Sequence, residues 1–179
     1  MKILIISYSL TEKNQALALS IATKLHAEHI SVVESKPRTP FTILLDILLN
    51  RAPKVKPTAE NGSAYDYVIF MAPVWMGFVA TPLRMYFKNL KNRLDNYAFI
   101  TISGGADGHN VKLGAELTKR MGKAPDVLLD LLIADLLPTQ LKPERKETSA
   151  YRLKENDVKH LTNTVVKALE EKLQVPVRH

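Results

Sequence analysis

The segment Tyr67-Val68-Ile69-Phe70-Met71-Ala72 is an unbroken apolar run of β-branched, aromatic and aliphatic residues, followed at once by Pro73. A short run of this kind, apolar on both faces, needs cover on both faces and reads as a buried strand. Other segments of the same character recur along the chain. Lys2–Ile6 and Tyr97–Ile102 read as strands, Ile30–Glu34 as a further one, and Val127–Leu137 is expected to hold the fifth, although its leucine content also suits a helix.

Helical patterns separate these strands. Leu17, Ile21 and Leu25 fall at i, i+4 and i+8 within Asn14–Ala27, with Ala18 and Ala22 beside them, which places one stripe against a sheet. Thr39-Pro40 reads as an N-cap and first helical position, opening a helix through Leu49. Leu83, Phe87, Leu90 and Leu94 mark a helix after Pro82, Val111–Met121 another, and Val158, Leu161, Val165 and Leu169 the last, over Glu155–Leu173. Lys54–Ser63 and Lys142–Lys154 read as connections. Strand and helix alternate about five times, which implies a parallel sheet with right-handed crossovers and helices on both faces. The expected architecture is a single α/β domain over 1–179: three layers around a doubly wound, five-stranded parallel sheet.

Composition removes several classes of chemistry. The 179 residues include no cysteine, so disulfides, thiolate metal sites, iron–sulfur clusters and cysteine nucleophiles are excluded. His26, His29, His160 and His179 show no ligand spacing, so no metal site is expected. Met1-Lys2 leads into only four apolar residues before Ser7, short of a secretory core of about 7–15. No stretch approaches the roughly 20 apolar residues of a membrane span, and a cytoplasmic location is expected. The formal net charge is +7, but the basic clusters (Lys36/Arg38, Arg51/Lys54/Lys56, Lys88/Lys91/Arg93, Lys142/Arg145/Lys146) are scattered and not interleaved with aromatics. No specific nucleic-acid partner is expected. The Leu and Ile residues of 43–49 cover more than one helix face, which points to a subunit interface and a homodimer.

Open parallel sheets bind ligands beyond the carboxyl ends of their strands, so the chemistry belongs in three loops. The first, Ser7–Asn14, is rich in hydroxyls and opens a helix, where free N–H groups and the helix dipole suit a phosphate; N-capping explains the same residues. The second, Ala72–Pro82, contains the only tryptophan, Phe78 and two prolines, and so much apolar surface on a turn calls for a flat ligand or another subunit to cover it. The third, Ser103–Asn110, has three glycines, which permit unusual dihedrals and close approach of the backbone to a ligand; a plain turn is the alternative. His109 is a candidate proton donor or an exposed helix-capping residue, Asp107 a turn former or a carboxylate near the site, and Tyr8 either a stacking residue or a packing residue beneath the first helix.

These loops resemble those of the flavodoxin family. Leu4–Ala22 is similar to its opening, a strand followed by Ser/Thr-x-Thr-Gly-Asn-Thr. Ser9 stands at the first Ser/Thr, Leu10 at x, Thr11 at the second Thr and Asn14 at the last, while Glu12 replaces the glycine and Lys13 the asparagine. A carboxylate beside a phosphate is unfavourable unless it points outward or pairs with Lys13; the Glu12 N–H can still donate. Pro73-Val74-Trp75-Met76-Gly77 resembles the Pro-Val-Trp-Trp-Gly loop that lies against the isoalloxazine ring, with Phe78 following. Ser103-Gly104-Gly105 resembles the Ser-Gly-Gly turn after the fourth strand. The resemblance implies a flavodoxin-like sheet of order 2-1-3-4-5 and an FMN site made by Ser9–Asn14, Pro73–Phe78 and Ser103–Gly105.

In that reading the flavin carries the redox chemistry, and no catalytic side chain is assigned. An NAD(P)H-dependent oxidoreductase acting on a quinone or similar acceptor is expected, with NAD(P)H or a redox protein as partner. An electron carrier is the alternative, although a +7 chain fits poorly with the acidic flavodoxins it resembles. A third reading is a flavodoxin-fold binding module that has lost flavin. A receiver domain lacks its acidic cluster, since Ser7 and Pro73 stand at the strand ends. A serine hydrolase lacks its Gly-x-Ser-x-Gly elbow.

Overall fold

Strand and helix alternate in the computed structural model, which describes residues 1–34, 38–57, 64–138 and 143–173. The chain runs β1 (Ile3–Ser7), α1 (Lys13–Leu25), β2 (Glu28–Ser31), β3 (Val33–Glu34), α2 (Pro40–Leu48), β4 (Val55–Lys56), β5 (Tyr67–Met71), β6 (Val74–Trp75) and β7 (Phe78–Val79). It continues with a 3-10 turn (Thr81–Leu83), α3 (Arg84–Leu90), β8 (Tyr97–Ser103), α4 (Leu113–Met121), β9 (Val127–Leu132), a 3-10 turn (Ile133–Leu136), α5 (Arg145–Ala150) and α6 (Glu155–Leu173).

Five strands form one sheet in the order β2-β1-β5-β8-β9, all parallel. Counting only the strands of this sheet, that is the expected 2-1-3-4-5. Side-chain alternation along each strand divides the core into two halves. Ile5, Tyr67, Ile69, Met71, Ala98 and Ile100 pack with Leu17, Ile21, Leu161, Val165 and Leu169 of α1 and α6. Leu4, Ile6, Val68, Phe70 and Phe99 pack on the other face with Phe87, Leu90, Leu113, Leu117 and Met121 of α3 and α4. The fold is therefore a three-layer α/β sandwich.

Several boundaries differ from the expectation. The second sheet strand is Glu28–Ser31, not Ile30–Glu34, because β3 leaves the sheet and pairs antiparallel with β4. The Lys54–Ser63 connection thus begins with a strand; its remainder, 58–63, lies outside the described residues. Val127–Leu137 divides into β9 and a 3-10 turn. The helix after Pro82 is a 3-10 turn leading into α3, and Leu94 lies beyond it. The Lys142–Lys154 connection contains α5, started by a capping box between Glu144 and Glu147. Thr39 caps α2 as expected, accepting from the Thr42 N–H. α2 contributes no buried residue, and Phe41, Leu44, Leu48 and Leu49 remain exposed. Among the described residues no helix is long and apolar enough to cross a membrane.

Candidate functional site

β1, β5 and β8 are adjacent and parallel, so the loops that follow them emerge side by side. The first loop leaves β1 at Ser7 and enters α1 through Glu12, whose backbone is left-handed (φ 64°, ψ −15°). This is the conformation that a glycine adopts freely and an L-residue adopts at a cost of about 1–2 kcal/mol. Glu12 stands at the family's glycine position, so the loop keeps that shape without the glycine. Among the described residues no side chain caps the first turn of α1, which leaves its leading N–H groups available. The Ser9 Oγ is buried without a hydrogen-bond partner among the described residues. Thr11 and Glu12 are exposed.

The other two side chains of this loop are engaged by the protein. Asn14 is 3% exposed, and its Oδ1 accepts the Ile102 N–H at 3.1 Å. Lys13 donates from Nζ to the Thr148 carbonyl at 3.4 Å; burial, with the nearby Arg152, holds its ammonium below the usual lysine range.

The second loop is an antiparallel hairpin rather than an irregular turn. Val74 pairs with Val79 and Trp75 with Phe78, joined by Met76 and Gly77 at φ 51° and 82°. Two consecutive positive φ values match the right-handed twist of a two-residue hairpin. The turn itself therefore requires Gly77, where an added Cβ would meet nothing nearer than Lys112 Cβ at 4.0 Å. Trp75 packs edge-on to Tyr8, with ring centroids 6.0 Å apart, and the Arg38 guanidinium lies 5.6 Å from the Trp75 ring centroid. Tyr8 thus joins the α3–α4 half of the core, not the underside of α1. Its hydroxyl donates to Glu34 Oε2 at 2.8 Å. Burial, reinforced by Glu34, raises the phenol well above its ordinary pKa. Arg38 in turn grips Glu34 with two hydrogen bonds of 2.6 Å and Asp46 with one of 2.9 Å.

The third loop is organised by Asp130 of β9. Its Oδ1 accepts from Ser103 Oγ at 2.7 Å, and its Oδ2 from both Asn110 N and Asn110 Nδ2 at 2.8 Å. His109 Nδ1 lies 3.7 Å from the same oxygen, but the imidazole is largely exposed. The two adjacent glycines admit other parts of this protein. A Cβ at Gly104 would lie 2.9 Å from Thr148 Oγ1, and one at Gly105 would lie 2.7 Å from Leu132 Cβ. Asp107 pairs with Arg145 on the surface. A cleft of about 250 Å³ lies here, bordered by Val74, Ser103, Gly104, Asn110, Arg145 and Thr148.

The structure thus brings all three loops to one end of the sheet. Asn14 touches β8, Trp75 touches Tyr8, and Val74 shares a cleft with Gly104. Sequence reading missed Asp130 and the Glu34–Arg38–Asp46 network. A carboxylate inside the apolar Val127–Leu137 run was the available signal for Asp130, because buried acids require partners. Arg38 was grouped with surface charge, and nothing in its local sequence separates it from Lys36.

No protein-family profile and no curated protein sequence matches the chain. Solved structures do. A flavoprotein in complex with FMN from Lactobacillus acidophilus superposes with a TM-score of 0.63 at 22% identity, over 72% of this chain and 92% of that one. An oxidised flavodoxin 1 from Bacillus cereus gives 0.51 at 16% identity, over 95% and 98%. A flavodoxin, WrbA-like protein from Agrobacterium tumefaciens gives 0.50 at 11%, over 97% and 99%. Together with the strand order and the two helical layers, these likenesses establish that the chain has a flavodoxin-like fold.

Proposed function

We propose that this protein binds FMN at the three converging loops and works as an NAD(P)H-dependent oxidoreductase, passing electrons through the flavin to a quinone or similar acceptor. The carrying observation is the first loop. A buried hydroxyl without a partner, Ser9 Oγ, stands before an uncapped helix N-terminus and a left-handed Glu12. The unpaired hydroxyl and the free N–H groups each favour an anion, and the left-handed backbone of Glu12 keeps the loop in the shape a glycine would give it; together they fit a phosphate. Glu12 is exposed, which keeps its carboxylate compatible with that role.

The flavin, when bound, supplies the hydride- and electron-transfer capacity. The chain's part is to bind and orient. Ser9 and the leading N–H groups of α1 hold the phosphate, with Leu10, Thr11, Glu12 and Lys13 forming the loop around it. Asn14 fixes the start of α1 against β8. Pro73, Val74, Trp75, Met76, Gly77 and Phe78 present an apolar wall for the ring, with Met76 and Phe78 exposed. Gly104 and Gly105 carry the backbone on the far side, while Ser103 is tied to Asp130. The net charge of +7 supports a phosphorylated nicotinamide donor over the docking of a basic partner.

Reconstitution with FMN tests this reading. A yellow protein with the visible absorption of bound oxidised flavin and steady NADPH oxidation in the presence of a quinone is expected. Bound flavin without turnover would leave an electron carrier, and a protein that takes up no flavin would overturn the proposal. One observation favours a flavin-free binding module instead: the Trp75 ring already has Tyr8 against it and Arg38 over it.

A further inference from the structure

A second concave surface lies on the α2–α3–α4 side of the hairpin, meeting the three loops only at Phe78. It is a groove of about 540 Å³ between the end of α2, the hairpin, α3 and α4, and ligand pockets of about 300–1,000 Å³ accommodate molecules of nucleotide size. Two basic clusters that are far apart in sequence meet here. Lys88 and Lys91 come from α3 and its C-terminal end, and Lys119 and Arg120 from α4. Arg84 also lines the groove and is only 4% exposed.

Among the described residues, the hydrogen bonds of the Arg84 guanidinium go to carbonyls. Its Nη1 donates to the Asp46 and Arg51 carbonyls at 2.8 and 3.0 Å, and its Nε has no partner. The two carboxylates acting on it are already committed elsewhere: Glu116 pairs with Arg120, and Asp46 with Arg38. Burial and the neighbouring Arg120 push the Arg84 guanidinium down to about 10, so it still carries its proton at neutral pH. Lys88, Lys91 and Lys119 form no ion pair with any described residue. Buried or clustered positive charge of this kind is relieved by a bound anion. The lining also includes Glu116 and Asn50, both engaged by Arg120, and the apolar side chains of Ile47, Phe78 and Phe87.

We infer that this groove binds a nucleoside polyphosphate, its phosphates against Lys88, Lys91, Lys119 and the buried Arg84, and its base and sugar against Phe78 and Ile47. The assignment does not depend on the flavin reading. The groove shares only the hairpin with the first site, through Phe78, which is the cross-strand partner of Trp75.

Calorimetric titration of the full chain with ADP, without flavin and at low ionic strength, tests the inference. ADP is expected to bind, and adenosine or inorganic pyrophosphate alone to bind about ten-fold more weakly or less, since each lacks half of the complementary chemistry. The double variant Lys88→Gln/Lys119→Gln is expected to lose about ten-fold in ADP affinity with an unchanged melting temperature. Lys24→Gln/Lys159→Gln, which removes equal charge at the cleft between α1 and α6, is expected to lose little. Ser9→Ala is expected to leave ADP binding intact, which separates this groove from the phosphate loop. An absence of ADP binding, pyrophosphate binding as tight as ADP, or equal losses in the two double variants would each overturn the inference.

Discussion

Asn14 Oδ1 accepts the backbone N–H of Ile102 across 88 positions of chain, fastening the first turn of α1 to the end of β8. Both residues are buried. Asn14→Ala leaves a buried donor unpaired, a loss of about 1–3 kcal/mol. Urea unfolding of the two proteins measures it. A variant as stable as the parent would show that water reaches Ile102 N and that the clamp contributes nothing.

Glu12 lies in the left-handed region at the start of the same helix. Glu12→Gly removes a strain of about 1 kcal/mol, offset in part by the larger backbone entropy of glycine in the unfolded chain. It also removes a negative charge next to the candidate phosphate position. The expected outcome is stability changed by a few tenths of a kcal/mol and a clearly tighter FMN complex, read by flavin fluorescence quenching.

Ser9 separates a binding hydroxyl from a structural one. Its Oγ is buried without a partner, so a methyl group in its place removes an unmet desolvation cost. Ser9→Ala is expected to be as stable as the parent or more so, and to bind FMN about ten-fold more weakly, the worth of one charge-assisted hydrogen bond. Loss of stability together with unchanged FMN affinity would contradict the assignment of this hydroxyl to phosphate.

His29 gives the fold a pH dependence with a definite sign. Its Nε2 lies 2.8 Å from Ser7 Oγ, and burial lowers its pKa below the ordinary value. The unfolded chain therefore binds the proton more tightly than the folded one. The contribution is intact above the ordinary histidine range and is lost as pH falls through about 6.5 toward the lower folded value. Urea midpoints measured from about pH 8 to pH 5 should fall more steeply for the parent than for His29→Gln. Parallel curves would exclude this histidine as the source.

The sheet was legible because its signal is local. Tyr67–Met71, Tyr97–Ser103 and the stripes Leu17/Ile21 and Leu161/Val165/Leu169 carry their burial pattern in their own composition. The pairing of β3 with β4 was not legible, although Val33 and Glu34 fell within an expected strand, because that pairing is decided by where the chain returns across an intervening helix. In the site, the left-handed shape of Glu12 was hidden by a residue type that does not favour it. The glycines at 104 and 105 were visible, but their physical reason was not: Thr148 and Leu132 approach them from segments far along the chain. Lys88 and Lys119 look like scattered surface charge until α3 and α4 are laid side by side.

The chain contains one tryptophan, and the hairpin holds it with Tyr8 at its edge and Arg38 at 5.6 Å. Its cross-strand neighbour Phe78 borders the basic groove, while the adjoining Val74 borders the cleft beside Gly104. The molecule thus carries its own optical gauge. A single indole, with no second emitter of its kind to blur the signal, sits between hairpin neighbours that border two recesses, and a change in its emission is the expected readout of a ligand in either one.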